Sequence, residues 1–267
     1  MTNYFHQKRV WVTGASSGIG EALVYALADR GASIILSARN EEALQRVAAE
    51  ASRLGAKDLL VQPLDLAQHD HIPSTVEQVL ARVGKVDIVI HCGGISQRSL
   101  AAETSLEVDK RLMDVNYFGT VALTKALLPS MLMHQLGHIV VVSSLTGKFG
   151  TPLRSGYAAS KHALHGFFDS LRAELAQTPL RVTIACPGFV RTQVSINALT
   201  GTGQPQGTMD DATEKGISST KAAHIILRAV ERGKEEIWFG GKEVLGVYLK
   251  RFFPAYFSRL VARAKVT

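Results

Sequence analysis

A tyrosine and a lysine four positions apart, Tyr157 and Lys161, are the residues of this 267-residue chain best suited to moving a proton. The pattern predicts a helix over about 155–177, and residues four apart share one face of a helix. An ammonium group at that distance favours the phenolate form of a tyrosine. Tyr157 is therefore a candidate general base for alcohol oxidation and general acid for carbonyl reduction.

A glycine-rich stretch near the start of the chain could hold a phosphate. It follows an apolar strand and opens a helix whose apolar residues recur at helical spacing. Glycine lets the backbone approach a ligand closely, and the free N–H groups and positive dipole end of a helix favour an anion. The expected ligand is an anionic dinucleotide. The stretch reads Thr13-Gly14-Ala15-Ser16-Ser17-Gly18-Ile19-Gly20, and the predicted contacts are Gly14, Ser16, Ser17, Gly18, Ile19 and Gly20.

The spacing of these glycines leaves other interpretations open. They form G-x-x-x-G-x-G, whereas the usual dinucleotide fingerprint is G-x-G-x-x-G. Positions 14–18 also form a literal G-x-S-x-G, the nucleophile elbow of an α/β-hydrolase, although no downstream Asp and His have a distinctive setting. A third interpretation is a turn without a ligand, in which glycine serves close helix-strand packing.

Together these features resemble the classical short-chain dehydrogenase/reductase family. The resemblance implies a Rossmann-type fold and an enzyme acting on CH–OH groups with a nicotinamide dinucleotide, for which the end of the second strand indicates NADP(H). The C-terminal tail is loosely similar to that of the 11β-hydroxysteroid-dehydrogenase-like members. The matching pieces, in family order up to about position 192, are the stretch at 13–20, Asp65, Asn116, Ser144, Tyr157-x-x-x-Lys161 and Pro187-Gly188.

The resemblance also implies roles for the catalytic residues. Ser144 lies thirteen residues before Tyr157, the usual family separation, and would hydrogen-bond the substrate oxygen and stabilise its developing charge. Lys161 would also contact the nicotinamide ribose. Asn116 corresponds to the residue that supports a water leading toward the lysine.

Further cofactor contacts follow from the same resemblance. Asp65 and the backbone of Leu66 would meet the adenine, although an Asp after a strand is also a good helix cap. After the sixth strand, Pro187 and Gly188 lead to Val190 and Thr192, which would approach the nicotinamide carboxamide.

The end of the second strand indicates which dinucleotide binds. The strand ends in Arg39 rather than in an acidic residue. An arginine can bind a 2′-phosphate, which a carboxylate would repel. This predicts NADP(H), with Ser16 and Ser37 as possible helpers. The alternative is a solvated Arg39 at a helix start.

One segment departs from the family pattern. The fourth strand ends in His91-Cys92-Gly93-Gly94, where the family usually has Asn-Asn-Ala-Gly. Gly93 still lets the backbone pass close to a ribose. His91 either replaces the hydrogen bonds of the first Asn or is a buried, hydrogen-bonded histidine.

The elements that must position these residues alternate along the chain. Short apolar runs and helical patterns predict a single-domain, doubly wound parallel sheet of about seven strands with helices on both faces. This domain spans 1–241 and includes a glycine-containing loop at 193–217, a predicted substrate lid. The strands are predicted near 8–13, 32–38, 58–64, 86–91, 137–143, 181–186 and 235–239.

Charge and cysteine content narrow the function classes. The formal net charge is +7, but the tail, 242–267, carries six basic residues against one acidic residue, which argues against a general nucleic-acid surface. Cys92 and Cys186 end strands separated by one other strand, too far apart for a disulfide, and no metal-ligand pattern surrounds them. No signal-peptide or membrane-spanning pattern is evident, so a cytoplasmic protein is expected.

The remaining segments bear on substrate and partners. Lys215 is the only basic residue of the lid, opposed by three acidic residues, which favours a neutral or apolar substrate. The tail forms an apolar helical stripe from Phe252 to Ala264 flanked by basic residues. It could lie on an anionic membrane, cover a partner subunit or close the pocket, and packing within the protein or a dimer is the simplest interpretation.

Two other functions compete with a dehydrogenase. A non-catalytic NADP(H)-binding regulatory protein would bind cofactor without turnover. A sugar-nucleotide epimerase or dehydratase normally has a larger substrate region than this chain has after Thr192. By resemblance, a homodimer or homotetramer is expected.

Overall fold

A parallel sheet runs through the centre of the molecule. The computed structural model describes residues 4–264. Its strands are β1 (Arg9–Thr13), β2 (Ser33–Ser37), β3 (Leu59–Val61), β4 (Ile88–His91), β5 (His138–Val142), β6 (Arg181–Pro187), β7 (Val190–Arg191), β8 (Ile217–Ser218) and β9 (Glu236–Phe239).

Helices connect these strands and cover the sheet. They are α1 (Gly18–Ala28), α2 (Glu41–Arg53), α3 (Ile72–Val83), α4 (Leu106–Met113), α5 (Gly119–Met133), α6 (Ser155–Glu174), α7 (Asp211–Glu214), α8 (Ser219–Glu231), α9 (Leu245–Phe252) and α10 (Pro254–Val261).

The strand order is β3-β2-β1-β4-β5-β6-β9, with every neighbouring pair parallel. The order reverses between β1 and β4, where Val12 pairs with Leu36 on one side and Ile90 on the other. Ligands bind at such a reversal, beyond the carboxyl ends of the strands. The predicted doubly wound fold is confirmed.

Two apolar cores lie on opposite faces of the sheet. Val10 and Val12 belong to the core beneath α1, α2 and α8, whereas Trp11 belongs to the core beneath α3, α5 and α6. Successive side chains of a strand point to opposite faces, so one short apolar run supplies both cores. Burial on both faces explains why the strands are apolar throughout.

The loop at 193–217 is tied to the segment that follows β4. The N–H of Arg98 donates to the Leu199 carbonyl at 2.8 Å, and the N–H of Leu199 donates to the Ser96 carbonyl at 2.8 Å. Farther along, the N–H of Ser105 donates to the Gly201 carbonyl at 2.9 Å. This loop is therefore part of the folded structure and closes one side of the cleft.

The tail contains two helices instead of one continuous stripe. Phe253, with an extended φ of −134°, separates α9 from α10, and Pro254 takes the first turn of α10, where its missing N–H costs nothing. Only Val247 and Phe257 of these two helices are buried. Lys265 lies outside the described residues. Among the described residues, no helix combines the length and apolarity needed to cross a membrane.

Candidate active site

The glycine-rich turn joins β1 to α1 at the strand-order reversal. Gly14 adopts φ +66°, and a Cβ there would lie 2.7 Å from the Cα of Gly93. Gly18 adopts φ +59°, and a Cβ there would lie 3.0 Å from the Thr192 Cγ2. Side chains at either position would collide with the neighbouring segments, so the sequence needs glycine at both.

This turn fits the pyrophosphate of a dinucleotide. Ser17 is the N-cap of α1 but makes no capping bond with its side chain, so its hydroxyl does not block the first N–H groups of the helix. A Cβ on Gly20 would collide with the Gly14 carbonyl, which keeps the backbone compact. The turn borders a cleft of about 1170 Å³ that also contains the predicted catalytic residues.

Helix α6 presents Tyr157 and Lys161 to this cleft. Tyr157 is half-buried, and Lys161 is only 5 % exposed. The Lys161 Nζ donates to the Val142 carbonyl at 3.0 Å and lies 5.8 Å from the centroid of the Tyr157 ring. The sheet thus holds the ammonium at a fixed position near the phenol, as the four-residue spacing predicts.

The two serines after β5 have different environments. Ser144 is half-buried at the cleft, and its Oγ accepts hydrogen bonds from the Thr146 N–H at 3.2 Å and the Thr146 hydroxyl at 2.9 Å. Ser143 is buried, and its Oγ contacts the Lys161 carbonyl at 3.3 Å and His165 Nε2 at 3.2 Å. Because Ser144 only accepts in its bonds, its own proton stays available for a substrate oxygen.

Asn116 lies on a single π-helical turn, 114–118, between α4 and α5. Its Oδ1 accepts from the Ile95 N–H at 2.8 Å, and its Nδ2 donates to the Ile95 carbonyl at 3.0 Å and to Ser160 Oγ at 2.9 Å. The side chain therefore connects the segment after β4 to α6. A Cβ on Gly94 would lie 3.0 Å from Asn116 Oδ1 and 3.5 Å from Lys161 Nζ, which places both groups beside the same turn.

Gln97 is a functional residue that the sequence reasoning missed. It is fully buried, and its Oε1 accepts from the N–H groups of Gly156 at 2.8 Å and Tyr157 at 3.2 Å. Gln97 therefore caps the first turn of α6 and holds the backbone of Tyr157 in place at the cleft. Its partners lie 59 and 60 positions away, and no local pattern signals such a contact.

A second missed group lies behind the serines. The Nε2 of His165 is 3.6 Å from Cys186 Sγ, and its Nδ1 is 3.7 Å from Glu236 Oε2. Burial lowers the pKa of His165 to about 4, helped by the charge of Lys148. The His165, Cys186 and Glu236 donor atoms lie within 4.8 Å of one another, as metal ligands do. However, the ammonium of Lys148 already pairs with Glu236 at 2.8 Å, and the lowered pKa keeps His165 neutral, so the group is a partly exposed Lys148–Glu236 ion pair beside a neutral histidine.

At the end of the cleft where the adenosine is predicted to bind, Arg39 and Ser37 differ in whether their side chains already have hydrogen-bond partners. Arg39 lines the cleft, is exposed, and makes no hydrogen bond or ion pair with any other residue of 4–264. Ser37 is buried, accepts from the Trp11 indole N–H at 2.9 Å, and donates its only hydroxyl proton to the Gln62 carbonyl at 2.6 Å. The geometry therefore does not support Ser37 as a phosphate donor.

Asp65 and Leu66 line the cleft after β3. The Oδ1 of Asp65 accepts from the Ala67 N–H at 3.0 Å, so this carboxylate closes a local turn and is not the cap of the following helical turn, while its contact with the adenine stays a prediction. Its Oδ2 lies 4.0 Å from a guanidinium nitrogen of Arg111. Leu66 packs against the turn after β4, because a Cβ on Gly93 would lie 2.7 Å from its Cδ1.

The segment after β6 closes the opposite side of the cleft, which Pro187, Gly188, Val190 and Thr192 all line. The N–H of Phe189 donates to Glu243 Oε1 at 3.0 Å, which holds this segment to the start of the tail. Val190 belongs to the short strand β7, and Thr192 faces Gly18.

A family model for short chain dehydrogenases matches residues 8–202, which include every predicted catalytic and cofactor-binding residue. The chain belongs to the short-chain dehydrogenase/reductase family. Its site is therefore that of an oxidoreductase with a nicotinamide cofactor, and the nucleophile-elbow interpretation of positions 14–18 no longer applies.

Relatives match this short-chain dehydrogenase/reductase over nearly its whole length. The dehydrogenase/reductase SDR family protein 7-like of Drosophila melanogaster is 44% identical over 268 residues, covering 99% of this chain and 82% of that protein. The dehydrogenase/reductase SDR family member 7B of Xenopus tropicalis is 42% identical over 269 residues, covering 98% of this chain and 87% of that protein. The similarity to 11β-hydroxysteroid-dehydrogenase-like members in the tail stays a prediction.

Solved structures of the family share the fold. A short-chain dehydrogenase/reductase from Burkholderia phymatum in complex with NAD superposes with a TM-score of 0.85 at 22% identity, covering 94% of this chain and 95% of that chain. An alcohol dehydrogenase from Thermococcus sibiricus complexed with 5-hydroxy-NADP gives a TM-score of 0.75 at 26% identity, covering 89% and 97%.

The unusual His91 of this family member is buried, as the simpler interpretation predicts. Its Nε2 lies 2.9 Å from the Thr124 hydroxyl, which directs its own proton to the Thr120 carbonyl at 2.8 Å, so we assign the histidine proton to Nε2. Burial lowers the pKa of His91 to about 3, which keeps the ring neutral. Burial also raises the pKa of the adjacent Cys92 thiol to about 12, although the charge of Lys161 opposes this.

The acidic residues of the loop at 193–217 do not line the cleft. The Asp210 side chain is fully buried, and its Oδ2 accepts from Arg98 and, at 3.4 Å, from Arg154. Asp211 points outward, with Lys215 at 3.9 Å. Arg98 and Arg154 line the cleft, and the loop supplies their counter-charge through Asp210, which pairs with both.

Proposed function

We propose that this protein is an NADP(H)-dependent oxidoreductase that interconverts a carbonyl and a secondary alcohol on a neutral or apolar small molecule. The observation that carries the proposal is the placement of Tyr157 and Lys161 on one face of α6 toward the cleft. When bound, the cofactor supplies or accepts the hydride.

The side chains divide the proton chemistry between them. In the reducing direction, the Tyr157 hydroxyl donates its proton to the carbonyl oxygen, and the Lys161 ammonium stabilises the phenolate that remains. Ser144 donates its free hydroxyl proton to the same oxygen and stabilises the developing charge. The donors from Thr146 to Ser144 Oγ orient this hydroxyl. Alcohol oxidation uses the same groups in reverse.

NADP(H) over NAD(H) is supported by Arg39, an exposed guanidinium at the end of β2 with no carboxylate in its place. A neutral or apolar substrate is supported by apolar side chains in the cleft wall. These include Ile95, Val108, Leu145, Phe149, Phe189 and Leu199.

The Tyr157→Phe variant tests the reaction. We expect turnover of NADPH against a panel of aldehydes, steroids, ketoacyl esters and sugars to fall by about 10²- to 10⁴-fold, the usual contribution of general acid catalysis. NADPH binding, followed by fluorescence titration, should persist because the ring still fills its place. Tyr248→Phe, an exposed tyrosine of α9, is the matched control.

Near-wild-type turnover by Tyr157→Phe would remove this residue from the mechanism. The competing proposal, a non-catalytic NADP(H)-binding regulatory protein, predicts cofactor binding with no turnover by the wild-type chain on any member of the panel. The ratio of the kcat/KM values for NADPH and NADH tests the proposed cofactor, and a clear preference for NADH would contradict NADP(H) dependence.

We further propose two contact surfaces. Leu106, Phe118 and Met133 are exposed on or beside α4 and α5 and suit a homodimer or homotetramer, which light scattering would detect.

In the tail, large apolar side chains such as Phe252 are exposed beside basic residues, the composition of a peripheral membrane contact. Truncation after Gly246 should then abolish flotation with anionic liposomes, and unchanged flotation would exclude the tail as the anchor.

A further inference from the structure

Arg46, on the exposed side of α2, reaches across to the glycine-rich turn. Its Nη1 pairs with Glu21 Oε1 at 2.7 Å, and its Nη2 donates to the Ser16 carbonyl at 3.2 Å. The Tyr25 hydroxyl donates to the same Glu21 oxygen at 2.8 Å. Although the Arg46 side chain is 58% exposed, its guanidinium is thus held against the turn rather than free in solvent.

This guanidinium borders the adenosine end of the cofactor cleft. Arg46 lines a surface depression of about 620 Å³ that adjoins the cleft, and Ser16 and Asn40 line both. Arg39, which immediately precedes Asn40, lines the cleft itself. Two guanidinium groups therefore border one rim, and the serine at that rim is a predicted contact of the 2′-phosphate.

The contacts of Arg46 leave it able to bind an anion. Of its five N–H bonds, two serve Glu21 and Ser16 among the described residues, so the others are available. Arg46 also neutralises the Glu21 carboxylate, which stands in the first turn of α1 and would otherwise repel a phosphate. The available N–H bonds favour a cofactor with a 2′-phosphate, whereas neutralising Glu21 favours any phosphate near the start of α1.

We propose that Arg46 is a specificity-determining residue that, together with Arg39, binds the 2′-phosphate of NADP(H). This inference rests on the proposed NADP(H) dependence. Its contribution is a charge-assisted hydrogen bond at a partly exposed rim, which corresponds to about a tenfold effect on affinity.

The test compares kcat/KM for NADPH and NADH in matched variants. Arg46→Gln should lower the NADPH value about tenfold and change the NADH value less than about twofold. Glu21→Gln should keep or raise the NADPH value, because it removes a carboxylate and releases Arg46. Arg53→Gln is the control, since Arg53 lies two helical turns farther along α2, is 79% exposed and carries the same charge. It should change neither value.

The kinetic results distinguish a failure of the role proposed for Arg46 from a failure of the proposed NADP(H) dependence. Equal losses for both cofactors in Arg46→Gln would mean that Arg46 only supports the glycine-rich turn, and no loss would mean that it takes no part; both overturn the inference alone. A wild-type preference for NADH would overturn the proposed cofactor and this inference with it. Thermal unfolding of each variant, expected to match wild type, checks that exposed substitutions leave the fold intact.

Discussion

Replacing Asp210 by asparagine should release the loop at 193–217. The Asp210 side chain is fully buried, and Arg98, itself only 4% exposed, donates to its Oδ2 through two nitrogens. Thr213 donates to the same oxygen at 3.3 Å, and Gln206 donates to Oδ1 at 3.0 Å. Asp210→Asn keeps the shape of the side chain but removes its charge and turns an amide donor toward other donors.

The structure sets the size of the effect. Breaking one side of a buried ion pair costs about 3 to 5 kcal/mol, because the remaining charge stays buried without its partner. The loop can detach from the segment after β4, which exposes Arg98 to water and removes the cost of its buried, unpaired charge. The decrease in the free energy of unfolding is therefore limited to the free energy needed to detach the loop. Either the whole domain becomes less stable or the loop opens and KM for substrate rises.

Acid should mimic this substitution. Burial alone would raise the pKa of Asp210, but its hydrogen bonds and the charges of Arg98 and Arg154 hold the pKa below its ordinary value. The folded state therefore binds the proton less readily than the unfolded chain. The stabilisation is present above pH of about 4 and is lost as the pH falls through the lowered pKa.

Urea unfolding, hydrogen exchange at the loop amides and KM measure these outcomes together. The matched control is Asp211→Asn, because Asp211 is 80% exposed with Lys215 at 3.9 Å, and exposed pairs contribute little. The reasoning is refuted if Asp210→Asn stays within about 0.5 kcal/mol of wild type with unchanged loop exchange and KM.

Two further predictions follow from the backbone geometry of Gly14 and from the lowered pKa values of buried histidines. Gly14→Ala should abolish NADPH binding in a fluorescence titration, because φ +66° and a Cβ 2.7 Å from Gly93 distort the turn; normal binding would contradict this account. Burial lowers the pKa of three histidines, to about 3 for His91 and about 4 for His138 and His165, while the unfolded chain protonates near 6.5. Stability should therefore fall between pH 7 and pH 5 by about 2 kcal/mol per histidine, and His91→Asn should flatten that dependence in urea titrations.

The sheet could be predicted because its signals are local. An apolar run bounded by turn residues identifies a strand wherever it lies, and β1, β2 and β5 differ from prediction by at most one residue at each end. The third strand is shorter than predicted, 59–61 instead of 58–64, although the N–H groups of Gln62 and Leu64 still donate to the Leu36 and Ala38 carbonyls at 2.9 and 3.0 Å. The glycine-rich turn could be predicted for the same reason, because the positive φ angles, the close contacts of the backbone and the start of α1 all fall within eight residues.

The parts that could not be predicted depend on side chains far apart in the chain. Arg98 and Asp210 are separated by 112 positions, and neither has a neighbour in sequence that indicates the other. Without that pair, the loop composition indicated a neutral or apolar substrate but not that Asp210 is buried against Arg98. The tail shows the same limit, since its apolar spacing continues across Phe253 although the backbone there leaves the helix.

The departure at the end of β4 shows which interactions the site requires. The hydroxyl of Thr13 accepts from the N–H groups of both Cys92 and Gly93 at 3.1 Å, so β1 itself holds the turn beside the glycine-rich stretch. His91 points away and bonds to Thr124 in the core. Because the contacts that place this turn come from the backbone and from Thr13, the turn does not depend on the side chains at 91 and 92.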